Sequence, residues 1–416
     1  MAAEQLSVTP VRFAALRNRH SRPYLFTAGL SMMADNIEHV ITYWMLWQAF
    51  HSPVLVGFQV IAHWLPFLLG SVYFGTLAER YDCRRLIQIG QGLFMLVQVC
   101  WAVLFLTGTL QMWQACVLLV LHGMAGAIWG PAEQMLLHDF VETDAELPGV
   151  VRMNATFKNI GLLCGPAVGS ALLLLIGPTM GLFANVLFFL PMTILMLRTP
   201  FTGHTKRHQL ADAPRERVTM RSAIGVLASL RSNRHLIGMI VLAGLVAVTI
   251  GNALQGSMPA MAARLGAGPD GLGYGVLLFA NGLGGVVGGF VLEATGFLRP
   301  TLKAAMASTA LYGAATLVFA VSPWYPLAVV ALAASGFAGI ASLSTAQAVV
   351  QLEAPPDRRG RVFGVYGMFA SGLQVGNGVT IGGLGAAVGI PAALALCSGA
   401  LVVGTGITAL YTRRRR

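Results

Sequence analysis

The sequence predicts an all-α membrane protein with twelve transmembrane helices in two pseudo-symmetric six-helix bundles. Three observations predict it. The 416 residues are 56% hydrophobic and only 10% charged, whereas soluble domains carry about 25% charged residues. Twelve apolar stretches are each long enough for the roughly 20 residues that a bilayer-crossing helix needs. A short polar loop, GTLAERYDCRR at 75–85, recurs 214 positions later as GFVLEATGFLR. A loop repeated in two halves of an apolar chain is the mark of a duplication.

The mean hydropathy of +0.70 agrees with that composition. No cleavable signal stands out, because the first apolar run follows Arg12, Arg17, Arg19 and Arg22 and is too long and too polar at its centre. Cys83, Cys100, Cys116, Cys164 and Cys397 show no paired spacing, so neither a disulfide framework nor a metal framework is expected from them. The expected spans are 24–50, 54–78, 86–108, 112–138, 152–176, 178–197, 236–262, 272–295, 302–322, 325–352, 362–388 and 390–411. They group as a bundle at 1–197, a basic linker at 198–235 and a second bundle at 236–416.

The net charge of +11 raises the question of nucleic acid, and its distribution excludes that. Lys and Arg fall in alternate connections: the N-terminus, the 80–85 loop, 139–152, 198–235, Arg299 with Lys303, Arg358 with Arg359 and Arg361, and the tail from Arg413 to Arg416. The intervening loops carry none, with Arg264 the exception. That is the positive-inside pattern, and it places both termini in the cytoplasm. The linker holds Lys206, Arg207, Arg215, Arg217, Arg221, Arg231 and Arg234. A solvated topology-fixing linker and a short helix on the anionic leaflet both fit it.

The repeat extends beyond the loop. Gly75 and Glu79 match Gly289 and Glu293, and Gly126, Gln134 and Asp144 match Gly339, Gln347 and Asp357 at an offset of 213. Gly161 and Gly165 match Gly372 and Gly376 at 211.

Twelve spans, this duplication and the 75–85 loop resemble the major facilitator superfamily, whose loop after the second span reads G-x-L-A-D-R-x-G-R-K. Gly75, Leu77, Ala78, Arg80 and Arg84 match it, with Glu79 for the acid; Asp82 and Cys83 depart from it. The resemblance implies a gating loop in which Arg84 or Arg85 pairs with Asp139 or Glu142. GLLCGPAVGS at 161–170 is similar to G-x-x-x-G-P-x-x-G-G, the fifth-span motif of proton-antiporting exporters. Its glycines at Gly161, Gly165 and Gly169 let helices approach closely in lipid, and Pro166 removes a backbone donor. A static close contact is the plainer reading. GPAEQMLLHDFV, Asn154, Gln351 and PPDRRGRVFGV resemble the enterobactin-exporter and macrolide-efflux branch.

Polar residues inside the spans are the candidate site. Asp35, Glu38 and His39 lie at i, i+3 and i+4, hence on one helical face. Asp35 is about 16 Å into its span at 1.5 Å per residue, where an unpaired charge costs several kcal/mol. Proton coupling, with Asp35 as main carrier, is weighed there against a structural cluster. His122 stands where the family often carries an Arg, with Glu133 nearer the cytoplasmic end. His63 is read as packing. Lys158 either snorkels to the inner surface or pairs with a first-span acid. Trp44 either stacks on a flat substrate or anchors at the interface. The second half offers Asn252, Gln255, Gln347 and Asn377 as a neutral wall for substrate.

The resulting expectation is an inner-membrane secondary transporter, a monomer, exporting a siderophore-like or drug-like amphipathic compound against protons. Small-molecule substrate, protons and membrane lipid are the expected partners. No cofactor, no metal and no enzymatic activity are expected, since neither a phosphate-binding G-x-x-x-x-G-K-[ST] nor a catalytic cluster occurs. A lysophospholipid transporter of the same fold and a non-transporting sensor or scaffold remain the alternatives.

Overall fold

A computed structural model describes residues 14–140, 147–205, 233–268, 271–295, 298, 301–354, 362 and 365–413. Most of these residues are helical, with no strand among them. Helix α1 spans Ser21–Phe50, α2 Pro53–Arg80, α3 Cys83–Thr107 and α4 Met112–Asp139. Helical stretch α5 spans Leu147–Arg198. Then come α6 Arg234–Thr249, α7 Ala253–Arg264, α8 Leu272–Thr295, α9 Leu302–Val321 and α10 Tyr325–Glu353. A π-turn at Met368–Gly372 precedes α11, Gln374–Val388, and α12 is Ile390–Arg413.

Local chemistry explains the boundaries. Ser52 caps α2 by accepting from Leu55 N–H, with Pro53 in the first turn, where a missing donor does no harm. Asp82, Asn233 and Thr301 cap α3, α6 and α9 in the same way. Gly108 ends α3 at φ 64°, a conformation that costs glycine little. Gly177, at φ 79° and ψ 169°, breaks α5 into two arms. The arms fold back on each other: Val150 near the start of α5 shares one core with Met192 and Met196 near its end.

Among the described residues, nine helical stretches are long and apolar enough to cross a membrane. Met153–Arg198 covers two expected spans. The expected span 24–50 is not among the nine; it forms α1, which carries the buried polar groups Asp35, Asn36, Glu38 and His39. The span 362–388 is not among them either. Its described residues form the π-turn and the 15-residue α11. The expected span 236–262 is interrupted: α6 and α7 part at Ile250–Asn252, and Gly251 takes φ 32°.

The two halves meet through matching helix pairs, α2 with α11 and α5 with α8. A Cβ on Gly57 would run into the backbone of Gly378 and Gly382, so only glycine allows this approach. At the same end Tyr274 Oη donates to Val40 O at 2.9 Å. Within each half a second close crossing recurs. Gly123 of α4 rests on Ala62 O of α2, and Gly336 of α10 rests on Asn281 O of α8. Gly123 and Gly336 are 213 positions apart, the repeat offset.

The linker residues 206–232, Arg12, Glu142, Arg299, Arg358, Arg359, Arg361 and the tail 414–416 lie outside the described residues. Glu79 and Glu293 are helical, but their side chains also lie outside the description.

Candidate functional site

The first site is the interior of the N-terminal half. The i, i+3, i+4 spacing puts Asp35, Glu38 and His39 on the face of α1 turned to α2 and α4. His122 of α4 stands between the two acids: Nε2 is 2.9 Å from Asp35 Oδ1 and Nδ1 is 3.4 Å from Glu38 Oε2. His39 Nε2 is 4.0 Å from the same Glu38 oxygen. All four side chains are buried.

His63, read from the sequence as packing, completes this cluster. Its ring centroid lies 4.9 Å from that of His39 and 5.5 Å from that of His122. The signal that finds it is the glycine beside His122. A Cβ at Gly123 would lie 3.1 Å from His63 Cα, so α4 reaches α2 there because position 123 has none. Phe94, Tyr43 and Trp64 wall the cluster with aromatic rings.

A second ionic group lies toward the other end of α4. Lys158 Nζ donates to Glu133 Oε2 at 2.7 Å and sits 4.5 Å from the Trp129 ring centroid. Glu133 Oε1 accepts from Tyr24 Oη at 3.1 Å and Asn154 Nδ2 at 3.2 Å. Glu133 is 1% exposed, while the Lys158 side chain is 22% exposed. This corrects both expectations for Lys158. It neither snorkels nor pairs with a first-span acid, because Glu133, one helix over, offers a desolvated carboxylate within reach.

A cavity of about 300 Å³ opens beside α5 and into the C-terminal half. Leu162, Leu163 and Pro166 of α5 form one wall. Asn252, Gln255, Asn281 and Gln374 supply amides, Tyr312 and Tyr366 supply hydroxyls, and among the described residues no Asp, Glu, Lys, Arg or His is part of the lining. Gln374 Oε1 accepts from Asn252 N at 3.2 Å, at the break between α6 and α7. Of the expected substrate residues, Asn252 and Gln255 line this cavity, while Gln347 and Asn377 do not. Asn377 is fully buried, and neither amide atom has a hydrogen-bond partner among the described residues. Trp44 is 5% exposed and stacks on Tyr274 at 4.9 Å, which occupies the face expected to meet substrate.

The glycine motif of α5 faces α1. Gly161 rests on Gly29 O, Gly165 on Asn36 Cβ and Gly169 on Val40 Cβ. Pro166 points instead to the cavity, so one helix carries the close contact and the cavity wall on different faces.

In the 75–85 loop Arg84, one of the two arginines expected to reach Asp139 or Glu142, takes a nearer partner. Arg84 turns back to Asp82, with Nη2 2.7 Å from Oδ2, and donates through Nη1 to Thr199 O at 2.8 Å. Burial alone would push the Asp82 carboxyl up, but the hydrogen bonds from Arg84 outweigh it and hold it below the ordinary carboxylate value. Asp139 accepts from the N–H groups of Gly203 and Thr205 at 2.7 and 3.1 Å. It thereby fastens the chain after α5 to the end of α4. Aspartate in the loop, where the family has Gly, captures the arginine locally. Gly75 has open space around its Cα, and Arg80 is exposed.

Comparison with solved structures gives the fold independently. A bacterial homologue of the human lysosomal transporter Spinster, in an inward-facing, unoccupied conformation, superposes with a TM-score of 0.67 at 13% identity. That superposition covers 94% of this chain and 96% of the homologue. The nucleoside transporter NupG superposes with a TM-score of 0.66 at 12% identity, covering 94% and 98%. Among curated proteins, the staphyloferrin A transporter of Staphylococcus aureus (strain NCTC 8325 / PS 47) is 24% identical over 176 residues. That match takes in 42% of this chain and 44% of the transporter's own length. The family model described as transmembrane secretion effector, MFS_3, matches residues 11–415. The chain therefore belongs to the transmembrane secretion effector family of the major facilitator superfamily, and it is a multi-pass membrane transporter.

Proposed function

We propose that the protein exports a small amphipathic or aromatic compound from the cytoplasm across the inner membrane, in exchange for protons, by alternating access. In this reading the chain crosses twelve times with both termini inside. The observation that carries the reading is the uncharged cavity beside α5. Apolar walls with a few amides and hydroxyls suit an amphipathic solute of drug or siderophore size. The 24%-identical match to a siderophore transporter supports the siderophore class. The outer end of the protein is the one sealed by Gly57 on Gly378 and by Trp44 on Tyr274.

Coupling is assigned to Glu133 and Lys158. Sequence reasoning favours Asp35 as the carrier; the geometry favours Glu133 because its partner is linked to the cavity wall. Lys158 and Leu162 are one helical turn apart on α5. The groups facing Glu133 are Tyr24 of α1, Lys158 and Asn154 of α5, and Trp129 beneath Lys158. A proton on Glu133 dissolves the ion pair and leaves a partly buried ammonium without its carboxylate, which favours a shift of α5. The protonated and ionised forms thus prefer different positions of the helix that forms the cavity wall.

The test is flux in proteoliposomes with a panel of aromatic dyes and siderophores. The wild type should accumulate at least one of them under a pH gradient. Glu133→Gln should lose that accumulation while keeping downhill exchange. Normal gradient-driven accumulation in Glu133→Gln, with its loss in Asp35→Asn, would return the carrier to α1. Absence of any flux would remove the transport reading.

A further inference from the structure

The imidazoles gathered by α1, α2 and α4 take no part in exchange at Glu133. We propose that His39, His63 and His122 bind one divalent transition-metal ion of the Zn²⁺ type, with Glu38 as the fourth donor and Asp35 orienting His122. This goes beyond the export reading and does not depend on it.

The donor count comes first. One ligand nitrogen from each of the three histidines can be chosen so that all lie within 4.8 Å of one another. A tetrahedral ion with Zn–N bonds of about 2.0–2.1 Å holds its nitrogens roughly 3.4 Å apart. The nitrogens therefore close by up to about 1.4 Å, within reach of side-chain rotations. Glu38 Oε2 lies 3.4 Å from His122 Nδ1 and 4.0 Å from His39 Nε2, which sets the carboxylate among the same nitrogens. Three imidazoles and one carboxylate form a donor set for Zn²⁺ or its neighbours, whereas Ca²⁺ and Mg²⁺ require oxygen donors.

Spare donor capacity is the second, independent observation. His63 Nδ1, His122 Nδ1 and Glu38 Oε1 are buried without a well-aligned hydrogen bond. Buried polar atoms are otherwise nearly always partnered. Asp35 Oδ1, at 2.9 Å from His122 Nε2, stands where ligating histidines usually find the carboxylate that fixes their orientation.

Charge is the third. The ion partners of Asp35 and Glu38 among the described residues are imidazoles only. Two carboxylates in a membrane interior need compensation, and a divalent cation supplies equal and opposite charge. Such an ion would clamp α1, α2 and α4 into one rigid body and leave the half to move as a unit.

The experiment uses the full chain in nanodiscs. After chelator treatment, Co²⁺ and Zn²⁺ are titrated while stoichiometry, the visible spectrum of bound Co²⁺ and the melting temperature are recorded. We expect one ion per chain, a four-coordinate Co²⁺ spectrum and a metal-dependent rise in melting temperature. His39→Asn and His63→Asn should abolish stoichiometric binding. Asp35→Asn should weaken it about 10- to 100-fold. His51→Asn, His235→Asn and Glu133→Gln should leave it unchanged. X-ray absorption at Zn²⁺ in the wild type should count three imidazole ligands, a readout that stands even if a variant fails to fold. No stoichiometric binding, fewer than three imidazoles on the bound ion, or binding unaffected by both histidine variants would overturn the site and leave an adventitious metal only.

Discussion

The crossing of α2 with α4 and the crossing of α8 with α10 are built alike and filled differently. Gly123 and Gly336 set the same close approach at the same repeat position. The residue before each differs: His122 in one half, Ser335 in the other. His122 faces two carboxylates, while Ser335 shares a 2.8 Å hydrogen bond with Thr316 of α9. The backbone contact is thus common to the two crossings while their contents differ. The N-terminal half concentrates ionisable groups in its interior, and the C-terminal half is neutral along the cavity. On the proposed reading this contrast is a division of labour, with ion chemistry assigned to one bundle and solute recognition to the other.

The sharpest way to break that comparison is to exchange the contents. His122→Ser should destabilise the fold by about 3–5 kcal/mol, because it strands two buried carboxylates. Thermal unfolding in detergent measures it. A variant as stable as the wild type would mean that Asp35 and Glu38 are neutral and that the contrast between halves is not electrostatic. Next come the glycines. Gly123→Ala and Gly336→Ala should each cost about 1–3 kcal/mol by overpacking backbone against backbone. Equal losses sharpen the symmetry; tolerance at one site alone breaks it. Ser335→Ala should cost about 1 kcal/mol, the worth of one hydrogen bond, well below the effect at His122.

The fold was largely legible and the site only partly so. Apolar run length and turn residues located the boundaries well: the expected end of the fifth span at 176 falls beside the break at Gly177. The interruption of 236–262 was not legible, because Gly251 and Asn252 sit in an apolar stretch whose continuity a hydropathy pattern cannot question. That Asp35, Glu38 and His39 share one face was legible because helical spacing is local. His63 was missed because its partners lie on other helices, and only the approach at Gly123 brings them together. The resemblance implies a pair between Arg84 or Arg85 and Asp139 or Glu142, yet Asp82, two residues away, takes Arg84. A neighbour in sequence prevails where it needs no long-range alignment.

That local pair gives the smallest predicted effect. Its carboxyl is held below the ordinary value in the fold, so its contribution is full above about pH 4 and lost as pH falls further. Asp82→Asn should leave neutral-pH stability nearly unchanged and flatten the acid limb of a pH–melting curve. The half-exposed setting of the pair keeps the effect small. A change at neutral pH as large as that of His122→Ser would mean that the loop, and not the bundle interior, holds the N-terminal half together.

The break between α6 and α7 has a mechanical consequence. A continuous helix is a stiff rod, and a load at one end turns the other. A rod notched at Ile250–Asn252, with Gln374 bonded across the notch, bends there first. Leu242, Ala243, Val246 and Ala247 before the notch line the cavity, while α7 beyond it packs against α1 and α2 at the sealed end. Solute pushing on the cavity wall can therefore be absorbed as local bending without prising the seal open. If the protein works as proposed, it gains compliance where the cargo differs in shape and keeps rigidity where a leak would short-circuit the gradient.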